Sequence, residues 1–249
     1  MIFLYFSGTG NSKYIAELFC KKMNVTCHSI EDEVDFAHLI SSETVIGFCY
    51  PIYGSRVPRI MREFVSTYRE LLEKKKLIIF CTQMIPVCDG TRAFTDLFQS
   101  NSVEVIYAER FTMPNNINNV PLFPLSGEKG IKKSLAKAEK KMQVVCENIE
   151  KGVVVKRGFD IFSRTLGSFQ GALLPFIENV GRKGVRINES CNKCQLCVSS
   201  CPMKNFNSDS NMITTNDNCT LCFRCINKCP KKAISILRRR KVKQQYKGV

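Results

Sequence analysis

The sequence predicts an α/β protein: a doubly wound parallel sheet of five strands, followed by a small α+β domain built around cysteine. Three observations predict it. Short apolar runs alternate with helical stripes along residues 1–150, the pattern of strands covered on both faces by helices. The first apolar run leads straight into a loop of glycine and hydroxyl residues and then a helix. Eight of the 14 cysteines of this 249-residue chain fall into two short runs after residue 190.

Each element has its own signal. Residues 2–6 are apolar and short enough for a buried strand. Residues 13–23 place Tyr14, Ile15, Leu18 and Phe19 on one helical stripe. Strands are expected at 25–30, 44–50, 77–81 and 103–108. A helix at 59–72 carries Ile60, Phe64 and Tyr68 at four-residue steps, and a short helix is expected at 91–98. The last helix, 126–150, repeats Leu135, Ala138, Met142, Val145 and Ile149 at steps of three and four. In such open sheets ligands bind beyond the carboxyl ends of the strands, where the strand order reverses.

The loop after the first strand reads Ser7, Gly8, Thr9, Gly10, Asn11, Ser12. Its backbone N–H groups and the following helix N-terminus suit a phosphate. A Gly-Lys pair late in the loop is lacking, and Lys13 stands where a dinucleotide fingerprint needs its third glycine. The hydroxyls of Ser7, Thr9 and Ser12, with Asn11, can instead hydrogen-bond a terminal phosphate without a cation. The plain alternative is a glycine-rich strand-to-helix turn. The stretch resembles the loop with which flavodoxins hold the phosphate of FMN. That resemblance implies a flavodoxin-like strand order, with the loops after strands one, three and four converging on FMN. It implies as further cofactor contacts Pro51, Ile52, Tyr53 and Gly54, and Thr82, Gln83, Met84, Asp89 and Gly90. The chain has no tryptophan, so Tyr53 is the expected ring-stacking residue, the alternative being an exposed loop tyrosine. Gly54 is expected to turn its peptide toward the flavin N5. Pro86, Cys88 and Asp89 depart from the acidic, aromatic pattern of short-chain flavodoxins. Asn115 and Asn116 either approach the cofactor or form a polar turn.

The cysteine runs are Cys191, Cys194, Cys197, Cys201 and Cys219, Cys222, Cys225, Cys229, each followed by proline (Pro202, Pro230). Both read C-x2-C-x2-C-x3-C-P, and each cysteine of the second lies 28 positions after its counterpart, so the region is an internal repeat. A cubane cluster has four iron corners, each taking one thiolate, and three closely spaced cysteines can wrap one face of it. Structural zinc usually takes separated pairs of ligands, and cysteines this close rarely bridge each other. The runs resemble those of two-cluster bacterial ferredoxins over 185–237. That implies two [4Fe–4S] clusters with crossed fourth ligands: Cys191, Cys194, Cys197 and Cys229 for one, Cys219, Cys222, Cys225 and Cys201 for the other. Together with Tyr50–Gly54 and 111–116, the two halves look like the clostridial-type flavodoxin–ferredoxin fusion proteins.

The expected organisation is a flavodoxin-like domain (1–150), a linker (151–184), the ferredoxin domain (185–237) and a solvated basic tail (238–249). Within the linker Phe159, Phe162, Leu166, Phe169 and Leu173 make an amphipathic helix ending before Pro175, read as a docking helix or a clamp between the halves. Residues 181–184 read as a flexible basic joint. Net charge is +15, which attracts acidic partners, while no motif for reading nucleic acid accompanies it. No basic leader or membrane-length apolar run is seen, and Cys20, Cys27, Cys49, Cys81, Cys88 and Cys146 are scattered without ligand spacing. A reducing cytoplasm is therefore the expected compartment. The expected function is electron transfer, with single electrons relayed between an external redox protein with an acidic docking surface and FMN through the clusters. The alternatives are a flavin-dependent reductase of a quinone or disulfide, and a redox sensor or scaffold.

Overall fold

Six parallel strands make the main sheet of the computed structural model: β1 (Ile2–Tyr5), β2 (Thr26–Ser29), β3 (Val45–Pro51), β4 (Lys76–Gln83), β5 (Glu104–Thr112) and β6 (Val155–Lys156). Their order is β2-β1-β3-β4-β5-β6. The structure describes residues 1–53, 56–84, 89–100, 102–117, 124–172, 174–209, 212–236 and 242–249, apart from the side chains of 168–170, 174 and 177. The five expected strands are joined by β6, which pairs with Tyr107 and Ala108 at the edge. Two residues are too few to leave a periodic signal in the sequence.

Alternate side chains along the strands feed two cores, as a sheet buried on both faces requires. On one face Leu4, Phe6, Phe48, Tyr50 and Ile79 meet α2 (Phe36–Ser41), α3 (Arg59–Thr67), α4 (Arg69–Leu72) and α5 (Arg92–Thr95). On the other, Phe3, Cys49, Ile78 and Phe80 meet α1 (Asn11–Met23) and α6 (Glu128–Glu150). Phe3 and Phe80 both pack on Phe19 of α1, at ring-centre distances of 4.8 and 5.1 Å. The helix expected at 59–72 is two helices. Tyr68, at φ −107° and ψ 18°, breaks it and packs its ring against Phe36 and Phe64.

The linker is neither one helix nor a flexible joint. It forms α7 (Ile161–Ala172) and α8 (Leu174–Lys183), the latter running through Gly181. Pro175 sits in the first turn of α8, where its missing N–H breaks no helical bond. The phenylalanine stripe is not the buried face of α7: Phe162 is 68% exposed, and the side chains of Phe169 and Leu173 lie outside the described residues. The buried edge is Ser163, Gly167 and Gly171, at four-residue steps. A Cβ at Gly167 would collide with the Asp89 carboxyl group and one at Gly171 with the Arg56 guanidinium. Small residues thus let α7 lie directly on the sheet domain. Helix α8 carries the bridging role. Arg62 of α3 grips Glu178 with both guanidinium nitrogens at 2.9–3.0 Å, Gly181 packs on Leu221, and Arg182 Nε donates to the carbonyl of Asp217 at 3.1 Å.

The cysteine-rich half repeats itself in three dimensions. Helices α9 (Leu196–Ser200) and α10 (Arg224–Lys228) are 28 positions apart. Strand β7 (Arg186–Ile187) pairs antiparallel with β10 (Ile234–Ser235), and β8 (Phe206–Asp209) with β9 (Met212–Thr215). A third core, with Phe206, Ile213, Ile226, Ile234 and Ile236, fills this half. The expected solvated tail is packed where it is described: Val242 and Tyr246 are 3% and 4% exposed. Among the described residues no helix is long and apolar enough to cross a membrane.

Gly47 of β3 lies flat against Phe3, and a Cβ there would enter the ring. Gly47→Ala should therefore cost about 1–3 kcal/mol of stability through overpacking, read as a lower urea midpoint. An unchanged midpoint would contradict this packing.

Candidate functional site

The carboxyl ends of β1, β3, β4 and β5 open onto one cleft. From the loop after β1 it is lined by Ser7, Gly8, Thr9, Asn11 and Ser12, from β3 and its loop by Pro51, Ile52 and Tyr53, and from β4 and its end by Thr82, Gln83 and Met84. A fourth wall, Met113, Pro114, Asn115, Asn116 and Ile117, follows β5. Gly10 lies behind the loop, at φ +109° just before α1, a left-handed conformation that favours glycine. Its N–H donates to Ser7 Oγ at 3.1 Å, closing the turn. Ser12 and Thr82 hydroxyls meet at 2.7 Å, and Asn116 Nδ2 donates to Thr9 Oγ1 at 2.7 Å. Asp89 and Gly90, expected at the ring, stand elsewhere. Asp89 is buried, paired with Arg92 at 2.7 Å beneath α7, and Gly90 accepts a hydrogen bond from Tyr50 Oη at 2.8 Å. Gly54 lies outside the described residues.

A phosphate-bearing ligand with a polar ring fits this cleft. One end offers hydroxyls at the N-terminus of a 13-residue helix. At the end of β4 the buried Gln83 amide has both polar atoms without a partner among the described residues, and the Tyr53 hydroxyl, likewise without one there, lies beside Gly8. Buried polar groups left unbonded are costly, so the Gln83 amide on the cleft wall marks a place where a ligand supplies the missing bonds.

The cysteines ring two cavities. One is lined by Cys191, Cys194, Cys197 and Cys229, the other by Cys201, Cys219, Cys222 and Cys225. All eight are free thiols. The sulfurs of each set stand around a space that suits a cluster of atoms. Burial pushes Cys197 and Cys222 up to about 11 and Cys219 up to about 12. Neighbouring thiols add to this: Cys191 and Cys229 act on Cys197, and Cys222 and Cys201 on Cys219. Bound iron would reverse the effect, because a cation stabilises thiolate.

The backbone around the sulfurs is also duplicated. Lys193 and Leu221, Gln195 and Phe223, and Lys204 and Lys232 form pairs 28 positions apart, and all six have φ between 47° and 60°. Left-handed non-glycine residues are uncommon and cluster at functional sites. Here they accompany N–H groups aimed at sulfur: Lys193 donates to Cys191 at 3.4 Å, and Leu221 to Cys219, Asn205 to Cys201 and Ala233 to Cys229 at 3.3 Å.

The cleft and the second cavity share a wall. A Cβ at Gly8 would run into the carbonyl oxygen of Cys222 and would stand 3.0 Å from the Tyr53 hydroxyl. Cys222 belongs to the core of the sheet domain. Arg59 of α3 reaches Asn218, next to Cys219. Of the fourth wall, the sequence offered Asn115 and Asn116 as residues approaching the cofactor, and both line the cleft; Met113, Pro114 and Ile117 as wall residues, Arg224 and Tyr246 were not foreseen. Arg224 had a signal, since it replaces the leucine (Leu196) that the repeat predicts.

A family model described as a flavodoxin domain matches residues 2–119, and one described as a 4Fe-4S dicluster domain matches residues 190–234. Similar solved structures include oxidised Flavodoxin 2 from Bacillus cereus, with 17% identity, 56% of this chain and 97% of that one covered, and a TM-score of 0.38. A flavodoxin from Streptococcus pneumonia TIGR4 has 17% identity, 58% and 97% coverage and a TM-score of 0.37. A flavodoxin, WrbA-like protein from Agrobacterium tumefaciens has 14% identity, 61% and 97% coverage and a TM-score of 0.40. No curated protein matches the chain significantly.

Gln83→Met keeps the volume and removes the two unsatisfied amide atoms. It should stabilise the ligand-free protein by about 1–3 kcal/mol and weaken FMN binding, checked by urea unfolding and flavin fluorescence titration. Unchanged affinity would place the ligand elsewhere.

Proposed function

We propose that this chain, which joins a flavodoxin domain to a 4Fe–4S dicluster domain, relays single electrons between an external redox protein and FMN through its two clusters. One observation carries the reading: the loop suited to the flavin phosphate touches the second cysteine run, backbone to backbone, at Gly8 and Cys222. Held in this way, the cofactors stay at high effective concentration to each other, whatever the protein concentration.

When bound, FMN supplies a store for two electrons and each cluster a site for one. The chain's residues do the rest. Ser7, Thr9, Asn11 and Ser12 hold the phosphate at the N-terminus of α1. Gln83 offers a donor and an acceptor to the polar edge of the ring, and Tyr53, Ile52 and Met84 cover it from water. Cys191, Cys194, Cys197 and Cys229 hold one cluster, and Cys201, Cys219, Cys222 and Cys225 the other. The N–H groups of Lys193, Leu221, Asn205 and Ala233 donate to cluster sulfurs and so help set their potentials. The partner is a redox protein with an acidic docking surface, which the net charge of +15 attracts, and a reducing cytoplasm keeps the eight thiols available.

Purified without oxygen, the protein should hold about eight irons and one FMN, and reductive titration should consume about four electrons per chain, two at the flavin and one at each cluster. Zinc without sulfide, or an uptake of about two electrons or fewer, would overturn the reading. Cys201→Ala should damage the cluster of the second run, and Cys229→Ala that of the first, resolved by EPR. Damage confined to each residue's own run would refute the crossed ligand sets.

A further inference from the structure

Arg224 opens α10 between Cys222 and Cys225, and it breaks the repeat. Its counterpart in the first run is Leu196, which is 44% exposed. The Arg224 guanidinium instead turns into the junction between the halves. Nη2 donates to the carbonyl of Ser7 at 2.8 Å and Nε to that of Gly8 at 3.2 Å. Nη1 donates to the carbonyl of Ser200 at 3.0 Å. Both terminal nitrogens grip Glu31, just beyond β2, at 2.6 and 2.5 Å. The planar fork of arginine can make these bonds together, and the point charge of lysine cannot.

Those partners are not scattered. Ser7 and Gly8 line the cleft. Ser200 immediately precedes Cys201, and Arg224 follows Cys222 by two positions, so one side chain touches both walls of the second cavity and the phosphate loop. Neighbouring bonds run the same way. Asn227 of α10 donates through Nδ2 to the carbonyl of Asn116 at 3.1 Å. The Tyr246 N–H donates to Asn227 Oδ1 at 2.8 Å, while its hydroxyl donates to Asn11 Oδ1 at 2.6 Å. Ser7, Gly8, Asn11 and Asn116 are thus all held from the second cysteine run or from a segment bonded to it.

We infer that Arg224 is a positioning residue that couples the flavin cleft to the second cysteine cavity directly, while the first is tied to the cleft only at one remove, through Gln245 on the carbonyl of Cys229. Filling Cys201, Cys219, Cys222 and Cys225 fixes the phosphate loop for FMN, and FMN in turn steadies that cluster, since coupling between two sites is reciprocal. This inference rests on the cofactors proposed above.

The test uses the full chain, reconstituted with iron, sulfide and FMN without oxygen. FMN affinity is read by flavin fluorescence, and iron loss to a chelator is followed by EPR for each cluster. In the natural sequence FMN should slow iron loss from the second cluster more than from the first. Arg224→Leu installs the residue the first run carries at that place, so the local turn tolerates it. It should weaken FMN roughly tenfold, within the usual range of such couplings, and abolish the selective protection. Arg224→Lys, which keeps the charge and loses the fork, should restore less than half of either effect. Glu31→Gln should weaken FMN in the same direction with the cysteine runs untouched. If FMN binds the natural protein but neither affinity nor selective protection changes in Arg224→Leu, the inference fails alone. If the natural protein binds no FMN, the cofactor assignment beneath it fails as well.

Discussion

The carbonyl oxygen of Cys222 occupies the place a side chain at Gly8 would need. Two main chains from opposite halves of the sequence are in contact there, and little can come between them. Domains joined by a linker are by default free to move. Here several independent ties oppose that motion: the Arg62–Glu178 pair from α3 to α8, the fork of Arg224 on the phosphate loop, and Tyr246 on Asn11. Each holds a different side of the same junction. The segment between the halves is therefore structural. Its helix α7 approaches the sheet closely enough that only small residues fit along Ser163, Gly167 and Gly171.

Several features would be liabilities in a protein with no ligand to satisfy them. Seven described non-glycine residues around the cysteines, six of them paired by the repeat, hold left-handed backbone. Buried thiols crowd one another, and the Gln83 amide and Tyr53 hydroxyl lack partners among the described residues. A folded chain carries such departures from local preference where function requires them. Their distribution follows the two proposed cofactor regions, at the cysteine cavities and at the strand ends, while the cores beneath are ordinary close-packed aromatics and aliphatics.

Much of this was legible in the sequence. The cysteine spacing is a covalent requirement and so survives without any context. The five main strands were found because buried parallel strands are continuous apolar runs, and the phosphate loop because glycine and hydroxyls sit directly after the first of them. What was missed depends on tertiary placement. The stripe Phe159, Phe162 and Leu166 has good helical periodicity, yet α7 begins after Phe159, which packs on the sheet core, and buries Ser163, Gly167 and Gly171 while Phe162 faces outward. Asp89 looked like a loop residue facing the ring and is buried under α7, paired with Arg92. Tyr246 sits in a stretch whose lysines and glutamines suggest a solvated tail, and one buried aromatic outweighs that composition. Asn115 and Asn116 were read either as approaching the cofactor or as a polar turn, and the converging strand ends put both on the cleft.

In this arrangement the flavin and the clusters exchange electrons within one chain. Rapid mixing of the anaerobic holoprotein with a fast one-electron reductant that reaches the clusters first tests it most directly. Loss of the oxidised flavin absorption should follow cluster reduction with a rate independent of protein concentration. A flavin that stays oxidised beside fully reduced clusters despite a favourable driving force, or a rate that scales with protein concentration, would contradict it.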